Sequence, residues 1–288
     1  MKLNNTNIYL TRQSNVLFFV LFFCIQGCSS LPSNTNIVKI KSGEIAVSIK
    51  GVGSPTVVFE SGMGTNKETW NSVFYEMSKT NKVFSYDRHG LGESSKSRTT
   101  RDPCTIAKEL HAALKASNTK PPYILVGHSS GGLYQYVFAK YYPNEVVGLT
   151  LVDSHLPEPW IHQKKIPLPK EYLSKNKPNY FMRLREKLLT KYTTGGKEGA
   201  NMYNCLENID ITEPVKFPVR IIQAVDSKNM PEPLINWFKK RVKWYFQEWF
   251  HILGKKVPTR EVNSGHYIQE ERPDVVVQEI QKLIKNNK

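Results

Sequence analysis

The sequence predicts a mostly parallel, eight-stranded β-sheet with helices on both of its faces. Two observations lead to this prediction. Short apolar and β-branched segments alternate with helical segments along most of the chain, which is the order that parallel β-α-β units produce. Several strand segments, such as residues 124–126, are apolar at every position, as strands are when both faces of their sheet are covered. Functional loops are therefore expected at the carboxyl ends of the strands.

The predicted elements begin with a hairpin and then alternate in type. Residues 37–40 and 44–49 alternate between apolar and polar positions on either side of Ser42-Gly43, which is typical of two antiparallel strands. Further strands are predicted at residues 56–60, 82–86, 123–126, 147–152, 219–224 and 257–262. Helices are predicted at residues 67–78, 103–116, 132–139, 233–253 and 273–285. The second helix begins with Pro103, which the first turn of a helix tolerates.

Residues 154–215 interrupt this alternation. The segment is rich in proline and lysine and contains Gly195-Gly196, and within it only residues 180–192 have a helical pattern. Since it lies between two predicted strands, we interpret it as an insertion over the site, which we name the cap. The catalytic domain is expected to span residues 37–288.

The first residues of the chain predict a signal peptide at residues 1–27. Lys2 and Arg12 precede an uncharged apolar run at residues 16–25. Ten apolar residues are too few to span a bilayer as a helix, but they suit the central region of a signal peptide.

The run ends in Ile25-Gln26-Gly27-Cys28, which resembles a bacterial lipobox except for Gln26. That resemblance implies that Cys28 is lipidated and that residues 28–36 form a polar tether. The expectation is an exported lipoprotein anchored to a bacterial membrane. An ordinary cleaved signal peptide with an incidental cysteine and an uncleaved anchor are the alternatives.

The composition of the chain indicates which partners to expect, and it allows one disulfide without showing that it forms. The net charge of +15 favours proximity to anionic lipid. Nucleic acid is not expected as a partner, because the sequence contains no nucleic-acid-binding module. Outside the signal region, Cys104 and Cys205 remain. They could form one disulfide or stay as two buried thiols.

The pentapeptide Gly127-His128-Ser129-Ser130-Gly131 lies between a predicted strand and a predicted helix. Strand, Gly-x-Ser-x-Gly and helix is the context of a nucleophile elbow, in which a strained turn exposes the serine hydroxyl. Glycines on both sides let the strand and the helix approach closely. We therefore predict Ser129 as a nucleophile; a glycine-rich turn with a chance serine is the alternative.

A serine nucleophile needs a base, and seven histidines are available. His266 follows the last predicted strand in a Ser-Gly-His loop and precedes the final helix. That position allows its imidazole to lie over the elbow. His128, inside the elbow, is expected to pack beside the site without acting as the base.

Taken together, the motifs resemble those of the α/β-hydrolase superfamily, in its single-domain serine-hydrolase branch. The resemblance implies that Ser129 is the nucleophile, and that His266 acts first as general base and then as general acid. It also implies an oxyanion hole formed by the backbone N–H groups of Met63 and Ser130. Asp87 and Arg88 are interpreted as residues that fix a turn. The matching segments are residues 58–64, 86–94, 121–134, 149–154 and 264–269.

The acid of the triad has two candidates. Most relatives place an aspartate in Gly-x-x-Asp after the strand that precedes the long penultimate helix. Here that stretch reads Ala224-Val225-Asp226-Ser227, so Asp226 lies one residue early. Asp153, at the end of the strand after the elbow helix, is the alternative, and we favour it.

The resulting functional prediction is hydrolysis of a carboxylic ester through an acyl-enzyme at Ser129, with a small-molecule acyl compound as the substrate. An amidase or peptidase of the same fold is one alternative. A lipoprotein binding module with a degenerate triad is another. No metal or cofactor is expected, because the sequence shows neither ligands at metal spacing nor a Walker A loop.

Overall fold

The computed structural model describes residues 35–169, 187–210, 213–225 and 231–286. Their strands form one eight-stranded sheet in the order β1-β2-β4-β3-β5-β6-β7-β8. The first two strands pair antiparallel with each other, and β2 also pairs antiparallel with β4, whereas all later pairs are parallel. The strands are β1 Thr35–Ile40, β2 Gly43–Lys50, β3 Thr56–Glu60, β4 Val83–Tyr86, β5 Tyr123–His128, β6 Val146–Val152, β7 Val219–Ala224 and β8 Thr259–Val262.

Helices cover both faces of the sheet, as the sequence predicted. Alternate residues of the central strands point to opposite faces, so Leu125 packs in one apolar cluster while Ile124 and Val126 pack in the other. Helices α2, α3 and α5 contribute to the first cluster, and α1, α6 and α7 contribute to the second. The helices are α1 Asn71–Met77, α2 Pro103–Ala116, α3 Ser130–Tyr141, α4 Thr194–Ala200, α5 Glu232–Leu253, α6 Ile268–Glu271 and α7 Pro273–Lys285.

Several boundaries differ from those predicted. Strand β1 begins at Thr35, inside the segment predicted as tether. The helix predicted from residue 67 begins as a 3₁₀ turn, Lys67–Trp70, before α1. The prediction of a single helix in the cap was wrong, since α4 follows a helical stretch at residues 187–192. The rest of the predicted helix over residues 180–192 lies outside the described residues.

The cap is attached to the domain covalently and through α5. Cys104 of α2 and Cys205 of the cap form a disulfide, so the pairing left open by the sequence is settled. The buried carboxylate of Glu248 on α5 accepts hydrogen bonds from the backbone N–H groups of His162 and Gln163, at 2.7 and 2.8 Å. An aromatic residue of α5 also contacts the cap, since the indole N–H of Trp244 donates to the Gln163 carbonyl at 3.4 Å.

Across the part of the chain that the structure describes, no helix combines the length and apolar character needed to cross a bilayer.

Candidate active site

Ser129 occupies a strained turn between β5 and α3. Its backbone has φ 55° and ψ −124°, a region that residues other than glycine rarely adopt. The turn needs glycine on both sides of Ser129. A Cβ at Gly127 would lie 2.4 Å from the carbonyl oxygen of Gly131, and a Cβ at Gly131 would lie 2.4 Å from that of Glu60. The backbone geometry is that of a nucleophile elbow.

Asp153 follows β6, the neighbour of β5 in the sheet, and its backbone is also left-handed at φ 41°. One carboxylate oxygen, Oδ2, lies 2.5 Å from His266 Nδ1. The other, Oδ1, accepts hydrogen bonds from the side-chain amide of Gln223 and, at 3.3 Å, from the backbone N–H of Ala224. Two adjacent strand ends therefore bring Ser129 and Asp153 to the same edge of the sheet.

His266 reaches this edge from the loop that follows β8. Its pairing with Asp153 places a proton on Nδ1 and leaves Nε2 with a free lone pair. Ser129 Oγ makes no hydrogen bond to His266 within the described structure, and contacts between nucleophile and base commonly tighten only when substrate binds. Asp226, the other candidate acid, lies outside the described residues.

His128 packs against His266, as expected. The two ring centroids are 4.5 Å apart, and His128 Nε2 donates to the carbonyl oxygen of His266 at 2.9 Å. Burial lowers the pKa of His128 to about 4, with a further contribution from the charge of His266. His128 is therefore neutral near pH 7 and holds the His266 loop in place.

The loop after β3, residues 61–64, lies beside the elbow, and we name it the oxyanion loop. A Cβ at Gly62 would lie 3.3 Å from the Cβ of Ser129. Among the described residues, neither the Met63 N–H nor the Ser130 N–H donates a hydrogen bond to a protein acceptor. Two unpaired amides near a candidate nucleophile are the groups that an oxyanion hole requires.

A buried ionic cluster beneath the oxyanion loop was missed by sequence reasoning. Arg88 was interpreted as a turn residue, but its guanidinium pairs with Glu60 at 2.7 Å and with Glu198 of α4 at 2.7 Å. Burial raises the pKa of Glu60 to about 6, against the lowering effects of Arg88 and Tyr86. The available signal was Glu60 itself, a carboxylate at the end of the apolar segment Thr56–Glu60. Asp87 does fix the turn, since its Oδ2 accepts a hydrogen bond from the Glu93 N–H at 3.0 Å.

A cavity of about 500 Å³ adjoins the His266 side of the site. Its walls combine apolar residues such as Phe238 and Tyr245 with the charged groups Lys165 and Arg241, and they include Asp153. Ser129 is not in the wall. The volume is within the range of small-molecule sites, so the cavity could hold the part of a ligand that extends past His266.

One cluster with metal-like spacing occurs in the described residues, at Asp102, Cys104 and Cys205. Its two sulfur atoms are bonded to each other, so neither is available as a thiolate ligand.

Comparison with known proteins supplies relatives in sequence and in structure. A family model described as alpha/beta hydrolase fold matches residues 55–188. The chain is 38% identical over 107 residues to the uncharacterized protein YqjL of Bacillus subtilis strain 168, a match to 37% of this chain and 42% of YqjL. It is 32% identical over 136 residues to the uncharacterized protein YbdG of the same strain, covering 46% of this chain and 42% of YbdG. The matches therefore span less than half of the length of these relatives.

Among the solved structures that resemble this chain, two illustrate the likeness. The epoxide hydrolase CorEH superposes with a TM-score of 0.66 at 17% identity, covering 88% of this chain and 99% of that one. Cfl2 of Burkholderia cenocepacia superposes with a TM-score of 0.63 at 16% identity, covering 86% of this chain and 94% of that one. At such identities the likeness is one of fold.

Proposed function

Because this chain has the α/β-hydrolase fold, we propose that it is a serine hydrolase that cleaves small carboxylic esters through an acyl-enzyme intermediate. The observation that carries the proposal is the 2.5 Å contact between Asp153 Oδ2 and His266 Nδ1, at the same sheet edge as a strained serine at an elbow. An acid, a base and a nucleophile are then available in one place.

The roles follow from the proton positions. Asp153 holds the His266 tautomer in which Nδ1 carries the proton, and Nε2 takes the proton from Ser129 Oγ as the oxygen bonds to the substrate carbonyl carbon. The tetrahedral intermediate collapses when the bond to the leaving alcohol breaks, and the alcohol takes the proton from Nε2. Water then attacks the acyl carbon, its proton passes through Nε2 to Ser129 Oγ, and a carboxylic acid is released.

The negative charge that develops on the carbonyl oxygen needs donors. The backbone N–H groups of Met63 and Ser130 are proposed for this role, since both are unpaired in the described structure. One such donor contributes roughly 3 kcal/mol of transition-state stabilisation.

We propose an ester before an amide because the same groups cleave both bonds, and an alcohol leaves more readily than an amine. The cavity beside His266 has room for a small substituent. Its walls mix apolar and charged side chains, which favours a short substrate with a polar group over a long alkyl chain.

The test is covalent labelling of Ser129 with a fluorophosphonate probe. We expect labelling of the wild type, loss of labelling in Ser129→Ala, and normal labelling in the control Ser117→Ala at the end of α2. p-Nitrophenyl esters of graded chain length and a matched p-nitroanilide then distinguish esterase from amidase. Folded wild-type protein that neither labels nor turns over would refute the enzyme and favour a binding module.

We further propose that Cys28 carries the lipid anchor that holds the domain at a bacterial membrane. The support is the lipobox-like sequence that ends at Cys28; the residue lies outside the described ones. Mass spectrometry of the mature N-terminus is expected to show diacylated Cys28. A mature chain that starts at any other residue would contradict the anchor.

A further inference from the structure

We propose that Glu198, a carboxylate carried by the cap, is a positioning residue that orients the oxyanion loop for catalysis. The inference rests on the proposed function, because it explains how the proposed amide donor at Met63 is positioned. Its consequence is that the oxyanion hole is complete only when the cap is docked.

One face of α4 lies directly on the oxyanion loop. Gly195, Glu198 and Gly199 share that face, since they follow the i, i+3, i+4 spacing of a helix. A Cβ at Gly195 would lie 2.8 Å from the Cα of Gly64, and a Cβ at Gly199 would lie 2.9 Å from the sulfur of Met63. The glycines therefore allow a backbone contact that brings Glu198 within reach of the loop.

Glu198 holds the loop both directly and through Arg88. Its Oε2 accepts hydrogen bonds from the backbone N–H of Gly64 and from Arg88 Nη2, both at 2.9 Å. Its Oε1 accepts a hydrogen bond from Arg88 Nε at 2.7 Å. The side chain is fully buried. Burial by itself raises the pKa of Glu198, but the charge and hydrogen bonds of Arg88 and the bond from the Gly64 N–H outweigh it and lower the pKa. Glu198 is therefore an anion near pH 7.

Arg88 passes this constraint on to the loop carbonyls. Nη1 donates to Glu60 at 2.7 Å and to the Ser61 carbonyl at 2.8 Å, and Nη2 donates to the Gly62 carbonyl at 2.7 Å. With the two bonds to Glu198, all five N–H groups of the guanidinium are used. A fully bonded arginine has one orientation, so the loop that it holds also has one.

The two peptide planes on either side of Met63 are fixed as a result. The Gly62 carbonyl and the Met63 N–H belong to one planar trans peptide, in which they point in opposite directions. Arg88 holds the carbonyl, so the Met63 N–H points away from Arg88. The next plane is held at its Gly64 N–H by Glu198. The Met63 N–H, the predicted oxyanion donor, is therefore oriented by bonds to its neighbours, and its own hydrogen atom remains free for a ligand.

Glu198→Gln tests this arrangement, because it replaces one acceptor oxygen by an amide that faces N–H donors. The matched control is Glu207→Gln, the same charge change at an exposed cap residue. We expect kcat on p-nitrophenyl butyrate to fall roughly 10- to 100-fold in Glu198→Gln. This decrease is smaller than the one expected from removing a whole oxyanion donor. KM should change little, and Glu207→Gln should match the wild type.

A thionoester of the same substrate separates positioning from general damage. Sulfur accepts hydrogen bonds poorly, so an intact oxyanion hole favours the oxygen ester strongly. We expect the ratio of the oxygen-ester rate to the thionoester rate to fall about 10-fold in Glu198→Gln. An unchanged ratio in folded Glu198→Gln protein would overturn the proposal.

Hydrogen exchange provides a readout that does not depend on activity. The peptide containing residues 61–64 should exchange faster in Glu198→Gln than in wild type or Glu207→Gln. Gly195→Ala, which leaves every charge in place but adds a Cβ against Gly64, should give the same increase if Glu198→Gln fails to fold. If the wild-type protein is inactive, the proposed hydrolase function is refuted. The exchange comparison would then still test whether Glu198 positions the loop. Equal exchange in all variants would refute it.

Discussion

Replacing Asp153 by asparagine is expected to lower kcat by about 10⁴-fold with little change in KM. The amide of asparagine can donate to His266 Nδ1, which would place the imidazole proton on Nε2, where it blocks proton transfer from Ser129. The backbone contacts of the Asp153 loop, including its N–H donating to the Ile222 carbonyl at 2.7 Å, should persist. The variant should therefore remain folded.

Asp226→Asn is the matched control for this variant, and we expect it to stay near wild-type activity. Activity assays on purified proteins, with melting curves to verify folding, give the comparison. The assignment of the acid to Asp153 would be wrong if Asp226→Asn lost the larger share of turnover.

Removal of the disulfide between Cys104 and Cys205 is expected to lower the free energy of unfolding more than any other change proposed here. Cys104 and Cys205 are 101 residues apart in the chain. Closing a loop of that length restricts the unfolded chain, and loss of such a bond costs about 2–5 kcal/mol of unfolding free energy. The double variant Cys104→Ala/Cys205→Ala should show this loss in urea denaturation.

The same experiment under reducing conditions contains its own control. A reductant should destabilise the wild type toward the level of the double variant and leave the double variant unchanged. Equal stability of oxidised wild type and double variant would contradict a stabilising role. The cap should lose the most stability, because Cys205, which lies shortly after α4, joins the cap to α2.

The order of strands and helices could be predicted from the sequence because each element has a local pattern. Helices α2 and α7 begin and end where the prediction placed them. The elbow could be predicted for the same reason, since Gly127 and Gly131 are required by contacts within the turn itself. Local steric needs leave a local signature in the sequence.

The sequence favoured Asp153 as the acid but did not exclude Asp226, because both aspartates follow predicted strands. Their distances to His266 depend on how the strands are ordered in the sheet. The structure places Asp153 against His266, which lies 113 residues further along the chain. A separation of that size carries no signal in the sequence of one protein.

Helix α4 and the cluster around Arg88 were missed for a different reason. The helix Thr194–Ala200 contains three glycines, which disfavour helix formation locally. It is held by tertiary contacts such as that between Glu198 and Arg88. Arg88 is a charged residue with no burial signal of its own, and its partners come from two distant segments.

The position of Asp153 directly after β6 also affects how the protein can evolve. Ser129 and Asp153 come from a single β-α-β unit, β5-α3-β6, which closes with local contacts. The whole chain between Asp153 and His266, including the cap, lies outside that unit. The entropy of closing a loop rises by only about 0.6 kcal/mol for each doubling of its length. Insertions and deletions there can therefore change which molecules reach the site while the spacing of Ser129 and Asp153 stays the same.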